Sequence, residues 1–270
     1  SHLPFCAPKQ FWDMYNRDAL DLANNPFFPE GVTQYTMNGM GELESYSDMP
    51  DSIKEGGLSE SQARRLIHGY NACVSYIDFC IGLVVNELEK LNLREDTIIM
   101  LWGDHGWKLG EHGAWAKHTN FEVDTKVPLI IDVPGMKSEG AKSDALVELV
   151  DLYPTLCDLC GLPKPNNLEG YSFIPLLENA NRPWKKAIFS QYPRSRMDAD
   201  KLVMGYTVRT EKYRYTEWIH VKSGGIKARE LYDRSKDPQE NTNVIDKPAY
   251  KSITVQMQKT LDRGEGALAN

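Results

Sequence analysis

Thr97-Ile-Ile-Met-Leu-Trp-Gly-Asp-His-Gly-Trp-Lys-Leu-Gly-Glu-His-Gly-Ala-Trp-Ala-Lys117 is the stretch whose reading decides the fold. Thr97 to Trp102 is a short apolar, β-rich run of the kind that forms a buried strand. Gly103, Gly106, Gly110 and Gly113 then break any regular element, so the chain leaves the strand into a loop. Asp104 and His105 stand where that strand would end, and open α/β sheets gather ligands at the carboxyl ends of their strands. A carboxylate and an imidazole side by side can both reach one cation. Oxygen donors suit Ca²⁺ or Mg²⁺ and an imidazole suits Zn²⁺ or Mn²⁺, so the residue types leave the metal open. Lys117 lies far enough along the loop to fold back onto a bound anion. The structural alternatives are a capping Asp104, a packed His105 and a solvated Lys117. His112 is either a further ligand seven residues beyond His105 or, the favoured reading, a loop-packing histidine beside Gly113.

Upstream, Ser59 and Gln62 make a capping box. Leu66, Tyr70, Val74, Ile77, Ile81, Val84 and Leu88 then recur at helical spacing, which predicts an amphipathic helix to about Leu91. Downstream, Val127-Pro-Leu-Ile-Ile-Asp-Val133 predicts a second strand closed by Pro134-Gly135. Helix, strand, loop and strand together read as an α/β fold with a mixed, largely parallel sheet flanked by helices. The two strands are apolar on both faces, as interior strands of a parallel-type sheet are. Ala145–Val150 reads as a further strand, after which Asp151 caps a short helix that tolerates Pro154 and ends at Gly161. Beyond a Pro/Asn-rich connection over 162–186 the pattern changes. Ala187–Gln191, Met204–Arg209, Tyr213–Ile219 and Ala228–Tyr232 are short β-like runs between polar turns, predicting a small antiparallel subdomain with a last helix over Tyr250–Leu261. The expected division is therefore 1–184 and 185–270. Residues 1–57 are irregular apart from a short helix near Phe11, Trp12 and Tyr15, and so long a loop-rich stretch is usually functional.

The 270 residues carry a net charge of −7, with no Lys/Arg stripe, which argues against a nucleic-acid partner. No uncharged apolar run approaches the ~18 residues of a membrane span; the longest, Cys73 to Val85, is interrupted by Asp78. Five cysteines cannot all pair within the chain. Cys157 and Cys160 form a C-x-x-C in an apolar helical run and read as buried thiols. Ser195 and His220 share no motif, and no Gly-x-Ser-x-Gly, phosphate-binding loop or dinucleotide fingerprint is present.

Trp102 to Lys117, followed by Asn120-Phe-Glu122 and Lys126-Val-Pro-Leu-Ile-Ile131, resembles the type I sulfatases of the alkaline phosphatase superfamily. Ser1-His-Leu-Pro-Phe5, Ser75-Tyr-Ile-Asp78, Leu149-Val-Asp-Leu-Tyr-Pro-Thr-Leu156 and Ser190-Gln-Tyr-Pro-Arg194 carry the likeness further. So do Met204-Gly-Tyr-Thr-Val-Arg-Thr210, Tyr213-Arg-Tyr-Thr-Glu-Trp218 and Glu230-Leu-Tyr-Asp233 with Asp237-Pro-Gln-Glu240. The resemblance implies a Ca²⁺-dependent hydrolase of sulfate esters, acting on the 2-O-sulfate of a uronic acid in a sulfated polysaccharide. It implies that Asp104 and His105 are metal ligands and that Lys117 and His2 are catalytic contacts to the sulfate oxygens. It also implies a lysosomal, secreted or periplasmic location, and no nucleic-acid or membrane partner.

Two parts of the family pattern are missing: the Cys/Ser-x-Pro-x-Arg motif that yields the formylglycine nucleophile, and a paired-Asp segment that completes the metal shell. Cys6-Ala-Pro-Lys-Gln10 lacks the final Arg and aligns with an ordinary position. The chain therefore reads as the C-terminal portion of a sulfatase, incomplete alone, with the N-terminal part of the same sulfatase and a sulfated glycan as partners. The rival readings are a superfamily phosphodiesterase or phosphomutase using Zn²⁺ or Mn²⁺, and a non-catalytic chain that binds sulfated glycan.

Overall fold

The computed structural model describes residues 2–38, 42–49, 57–136, 140–195, 198 and 200–264. They fall into two compact units, one of residues 1–29 and 37–134 and the other of residues 30–36 and 135–270. The division expected at 184/185 falls inside the second unit.

The first unit is built on a 31-residue helix. After a short helix α1 (Lys9–Trp12), helix α2 spans Glu60–Lys90 and begins with the capping box read from the sequence. Gln62 N–H donates to Ser59 Oγ at 3.3 Å, and Ser59 N–H donates to Gln62 Oε1 at 2.9 Å. The helix stops at Asn92, whose φ of +55° is the left-handed cap. Leu93 N–H reaches Leu88 O and Asn92 N–H reaches Glu89 O, the two bonds of a Schellman closure. The N-terminal half of α2 buries Ala63, Leu66 and Ile67 against Leu3, Leu43, Trp107 and Trp115. Farther along, Val74, Ile77, Leu83 and Val84 are exposed. By length and composition alone α2 is long and apolar enough to cross a membrane, which the interrupted run in the sequence did not suggest.

Strands β1 (Ile99–Trp102) and β2 (Leu129–Asp132) form where the sequence placed them. They pair antiparallel, Ile99 opposite Asp132 and Trp102 opposite Leu129, although strands apolar on both faces are more usual in parallel sheets. The reason is the connection. A parallel pair needs a crossover, usually a helix, but between these strands the only α-helix is the single turn α3 (Glu122–Thr125). Arg94 forms an ion pair with Asp132 at the end of the ladder.

The second unit carries the antiparallel sheet read from the sequence. Strands β3 (Ala187–Arg194), β4 (Val203–Thr210), β5 (Tyr213–His220) and β6 (Ile226–Asp233) lie in sequential order. One face packs Ala187, Val208, Tyr215 and Leu231 with Met257 of the last helix, α6 (Lys251–Arg263). Gly205 lies opposite Trp218, and a Cβ there would sit 2.6 Å from the indole, so only glycine lets the ring lie across the strand. Residues 30–36 join this unit: Glu30 N–H donates to Asn241 O and Asn243 N–H to Glu30 O. Thr36 Oγ1 donates to the buried Glu230, which also receives Trp218 Nε1 at 3.0 Å and Tyr232 OH at 3.2 Å.

Helices α4 (Leu152–Leu159) and α5 (Ile174–Glu178) precede the sheet, and Gly161 (φ +65°) closes α4 as expected. Ala145–Val150 is not a strand. Residues 141–148 run without regular structure into a 3₁₀ turn at Leu149–Asp151. Glu148 and Asp151 are the cause, because both side chains receive Lys185 Nζ, at 2.6 and 2.8 Å, while Glu148 Oε1 accepts Phe189 N–H. Two carboxylates held this way fold the segment back on itself. In the C-x-x-C, Cys157 is buried but Cys160 is exposed, which corrects half of that expectation; both thiols are free.

Candidate active site

The loop between β1 and β2 carries three of the four candidate residues, and all of it lies in the first unit. It is a narrow hairpin closed by backbone bonds, Lys108 N–H to Ala116 O and Gly110 N–H to Ala114 O, each 3.0 Å. Gly110 at φ +113° and Gly113 at φ +64° allow the tight tip. His112 packs inside that tip, 4.3 Å from the Phe121 ring, which is the packing role read from the sequence. Gly106 stands where the two limbs cross most closely. Its N–H donates to Asp124 O, and a Cβ would sit 1.9 Å from Val123 O.

Asp104 and His105 follow β1 after the single residue Gly103. His105 N–H donates to Asp104 Oδ1, and the imidazole Nδ1 lies 2.9 Å from Gly106 O. A carbonyl only accepts, so Nδ1 carries the proton, and Nε2 presents its lone pair 3.6 Å from Asp104 Oδ2. This is the tautomer a metal-binding histidine needs, with its other nitrogen fixed by a backbone carbonyl. The Asp104 side chain is 84% exposed and its Oδ2 faces that lone pair. The two donors fit one side of a cation's shell. No third His, Cys, Asp or Glu joins them among the described residues.

Lys117 is buried, which disposes of the solvated-lysine alternative. Its Nζ lies 5.3 Å from the centre of the Trp107 ring and 2.9 Å from His2 Nε2. His2 is held from its other side, Nδ1 being 2.8 Å from Leu3 O and 3.4 Å from Glu42 Oε1. An ammonium donates only, so Nε2 accepts from Lys117 and Nδ1 donates to Leu3 O. The segment bearing His2 is anchored by Phe5, which stands edge-on to Trp107 at 5.9 Å and to Tyr70 at 5.5 Å. Gly69 admits it: a Cβ on Gly69 would meet the Phe5 Cβ at 2.9 Å. The fold thus joins Lys117 to His2, while Asp104 and His105 pair on the same loop.

Sequence reasoning missed what holds the loop. Lys108, fully buried, sends Nζ to Thr119 Oγ1 at 2.7 Å and to Asp124 Oδ2 at 2.5 Å. Thr119 also donates to Asp124 Oδ2 through N–H, at 2.7 Å. The partners are 11 and 16 residues apart in an irregular segment, a separation that no helical or strand periodicity marks.

Residues 1–162 match the sulfatase family model, and residues 110–266 match that of the N-sulphoglucosamine sulphohydrolase C-terminal region. Iduronate 2-sulfatase of Mus musculus is 33% identical over 90% of this chain and 56% of its own length. A sulfatase of Formosa agariphila is 29% identical over 93% of this chain and 45% of its own. The chain therefore spans about half the length of these relatives. Among solved structures, one determined in complex with D-glucosamine-2-N,6-O-disulfate superposes with a TM-score of 0.79 at 23% identity, over 97% of this chain and 62% of that one. A phosphonate monoester hydrolase from Silicibacter pomeroyi gives 0.77 at 23% identity, over 97% and 53%. These likenesses establish the α/β fold.

Proposed function

The chain belongs to the sulfatase family, and on that premise we propose that its protein hydrolyses sulfate esters of glycans, with the 2-O-sulfate of a uronic acid as the substrate class. The observation that carries this is the contact of Lys117 Nζ with His2 Nε2 over the face of Trp107. A buried ammonium and an imidazole hydrogen-bonded to it make a site for an anion's oxygens. Lys117 binds a sulfate oxygen and stabilises the charge that develops as the S–O bond breaks. His2, once protonated at Nε2, donates to a second oxygen and orients the ester, the sulfate taking the place of the Lys117–His2 hydrogen bond. A divalent cation, of which Asp104 and His105 hold one side, supplies further positive charge to the sulfate when bound. Ca²⁺ is the cation in this reading. The remaining metal donors and the formylglycine nucleophile belong to the N-terminal part of the same protein. Support for the uronate comes from the 33% identity to iduronate 2-sulfatase.

The test is turnover by the full-length protein, with calcium, of an aryl sulfate, a phenyl phosphonate monoester and a disaccharide bearing a uronic acid 2-O-sulfate. Release of sulfate from the first and last supports the proposal. Preference for the phosphonate ester, or activity with zinc and none with calcium, refutes it.

A further inference from the structure

We propose that Lys108 is a positioning residue for Lys117, an inference that rests on the anion-binding role given to Lys117 above. Lys108 grips the chain on both sides of Lys117. On one side its own backbone N–H holds Ala116 O at 3.0 Å. On the other its Nζ holds the Thr119 hydroxyl at 2.7 Å. Only Lys117 and His118 lie between these anchors, and His118 is bent into the left-handed region at φ +79°. That conformation is costly for a residue with a Cβ, and it persists only where the surroundings impose it. Lys108 does so through Asp124, whose Oδ2 accepts from Lys108 Nζ, Thr119 Oγ1 and Thr119 N–H at once. The same aspartate takes Gly106 N–H on its backbone carbonyl, so the segment next to Asp104 and His105 is tied to the same post.

A lysine that served packing alone would keep its ammonium in water. Here both charges are buried, with side chains 1% and 2% exposed. A buried pair of this kind adds little stability over apolar residues of the same volume, yet it fixes geometry in a way apolar contacts do not. In this loop the geometry it fixes is the direction in which Lys117 leaves the backbone, towards Trp107 and His2.

Removing Lys108 alone strands the Asp124 charge and risks the fold, so the test uses Lys108→Met with Asp124→Leu, in the full-length protein. This double variant is crossed with Lys117→Ala to close a mutational cycle. Two readouts are taken, the kcat for an aryl sulfate and the dissociation constant for inorganic sulfate. A thermal melt within a few degrees of wild type shows that the double variant is folded; a double variant that melts far below it overturns the proposal, because the pair would then be needed for the fold itself. The expected result is a loss of about 10-fold or more in both readouts when Lys117 is present, and less than about 3-fold when it is alanine, because groups acting through one another are not additive. Equal losses in both backgrounds, or none in either, overturn the proposal. A wild type that binds sulfate through Lys117 but turns over no ester defeats the hydrolase reading alone, and the sulfate-affinity cycle then decides this one.

Discussion

Lys117 Nζ donates to His2 Nε2 across 2.9 Å, joining residues 115 positions apart in the chain. Neither residue has a sequence neighbour that explains the contact. It exists because Trp107 takes Lys117 over its ring and packs against His2 and Phe5 of the N-terminal segment. Lys117→Ala should therefore cost both stability and rate, but very unequally. Loss of the cation over a desolvated indole should lower stability by about 1–2 kcal/mol. Loss of a charge-stabilising donor should lower kcat by about 10²–10³. A rate loss that disappears once the folded fraction is corrected for by thermal melts would remove Lys117 from the chemistry.

Asp104 tests the metal half of the site. Among the described residues its exposed side chain bonds only to its neighbour's N–H and faces the His105 imidazole, so Asp104→Ala should leave the melt of the calcium-free protein nearly unchanged. Calcium at 100 times its dissociation constant should stabilise the wild type by about 2.7 kcal/mol. In the variant that increment and the turnover should both vanish. An undiminished calcium shift would place the ion elsewhere.

Two glycines should respond in opposite directions. Gly106→Ala drives a methyl to 1.9 Å from Val123 O, between two backbone segments that cannot part without opening the loop, and should cost about 3 kcal/mol or more. Gly82→Ala, inside α2 with nothing within 4 Å of the new methyl, should stabilise by about 0.5–1 kcal/mol. Chemical denaturation of both variants gives the comparison. Equal effects would show that the loop limbs are not closely apposed at Gly106.

Glu230 gives the second unit a pH dependence. Burial pushes its carboxyl above the ordinary 4.5, and the donors Thr36, Trp218 and Tyr232 pull downward without cancelling the effect. A raised carboxyl binds its proton more tightly in the folded state. This group's contribution is therefore largest below about pH 4.5 and is lost as pH rises towards the folded value. Glu230→Gln removes the titration, so its melting temperature relative to wild type should be higher at pH 7 than at pH 4. Parallel curves for the two proteins across that range would contradict this account.

The sequence by itself determined the elements and the identity of the loop. A capping box and a 3.6-residue repeat specified α2 to within a residue, because both signals are local. Four runs of β-branched and aromatic residues marked β3 to β6, and polar turns between them implied the antiparallel order. The glycines after Trp102 located Asp104, His105 and Lys117. Tertiary structure alone decided the rest. It set the antiparallel pairing of β1 and β2, since strand direction depends on the path of the connection and not on the apolar pattern. It left residues 145–148 irregular and ended them in the 3₁₀ turn Leu149–Asp151, because Lys185, far along the chain, holds the carboxylates of Glu148 and Asp151. It buried Lys108 against Asp124 and brought His2 to Lys117. Such contacts are formed between segments that no periodicity links, and their energies come from burial and charge pairing that exist only once the chain has closed on itself.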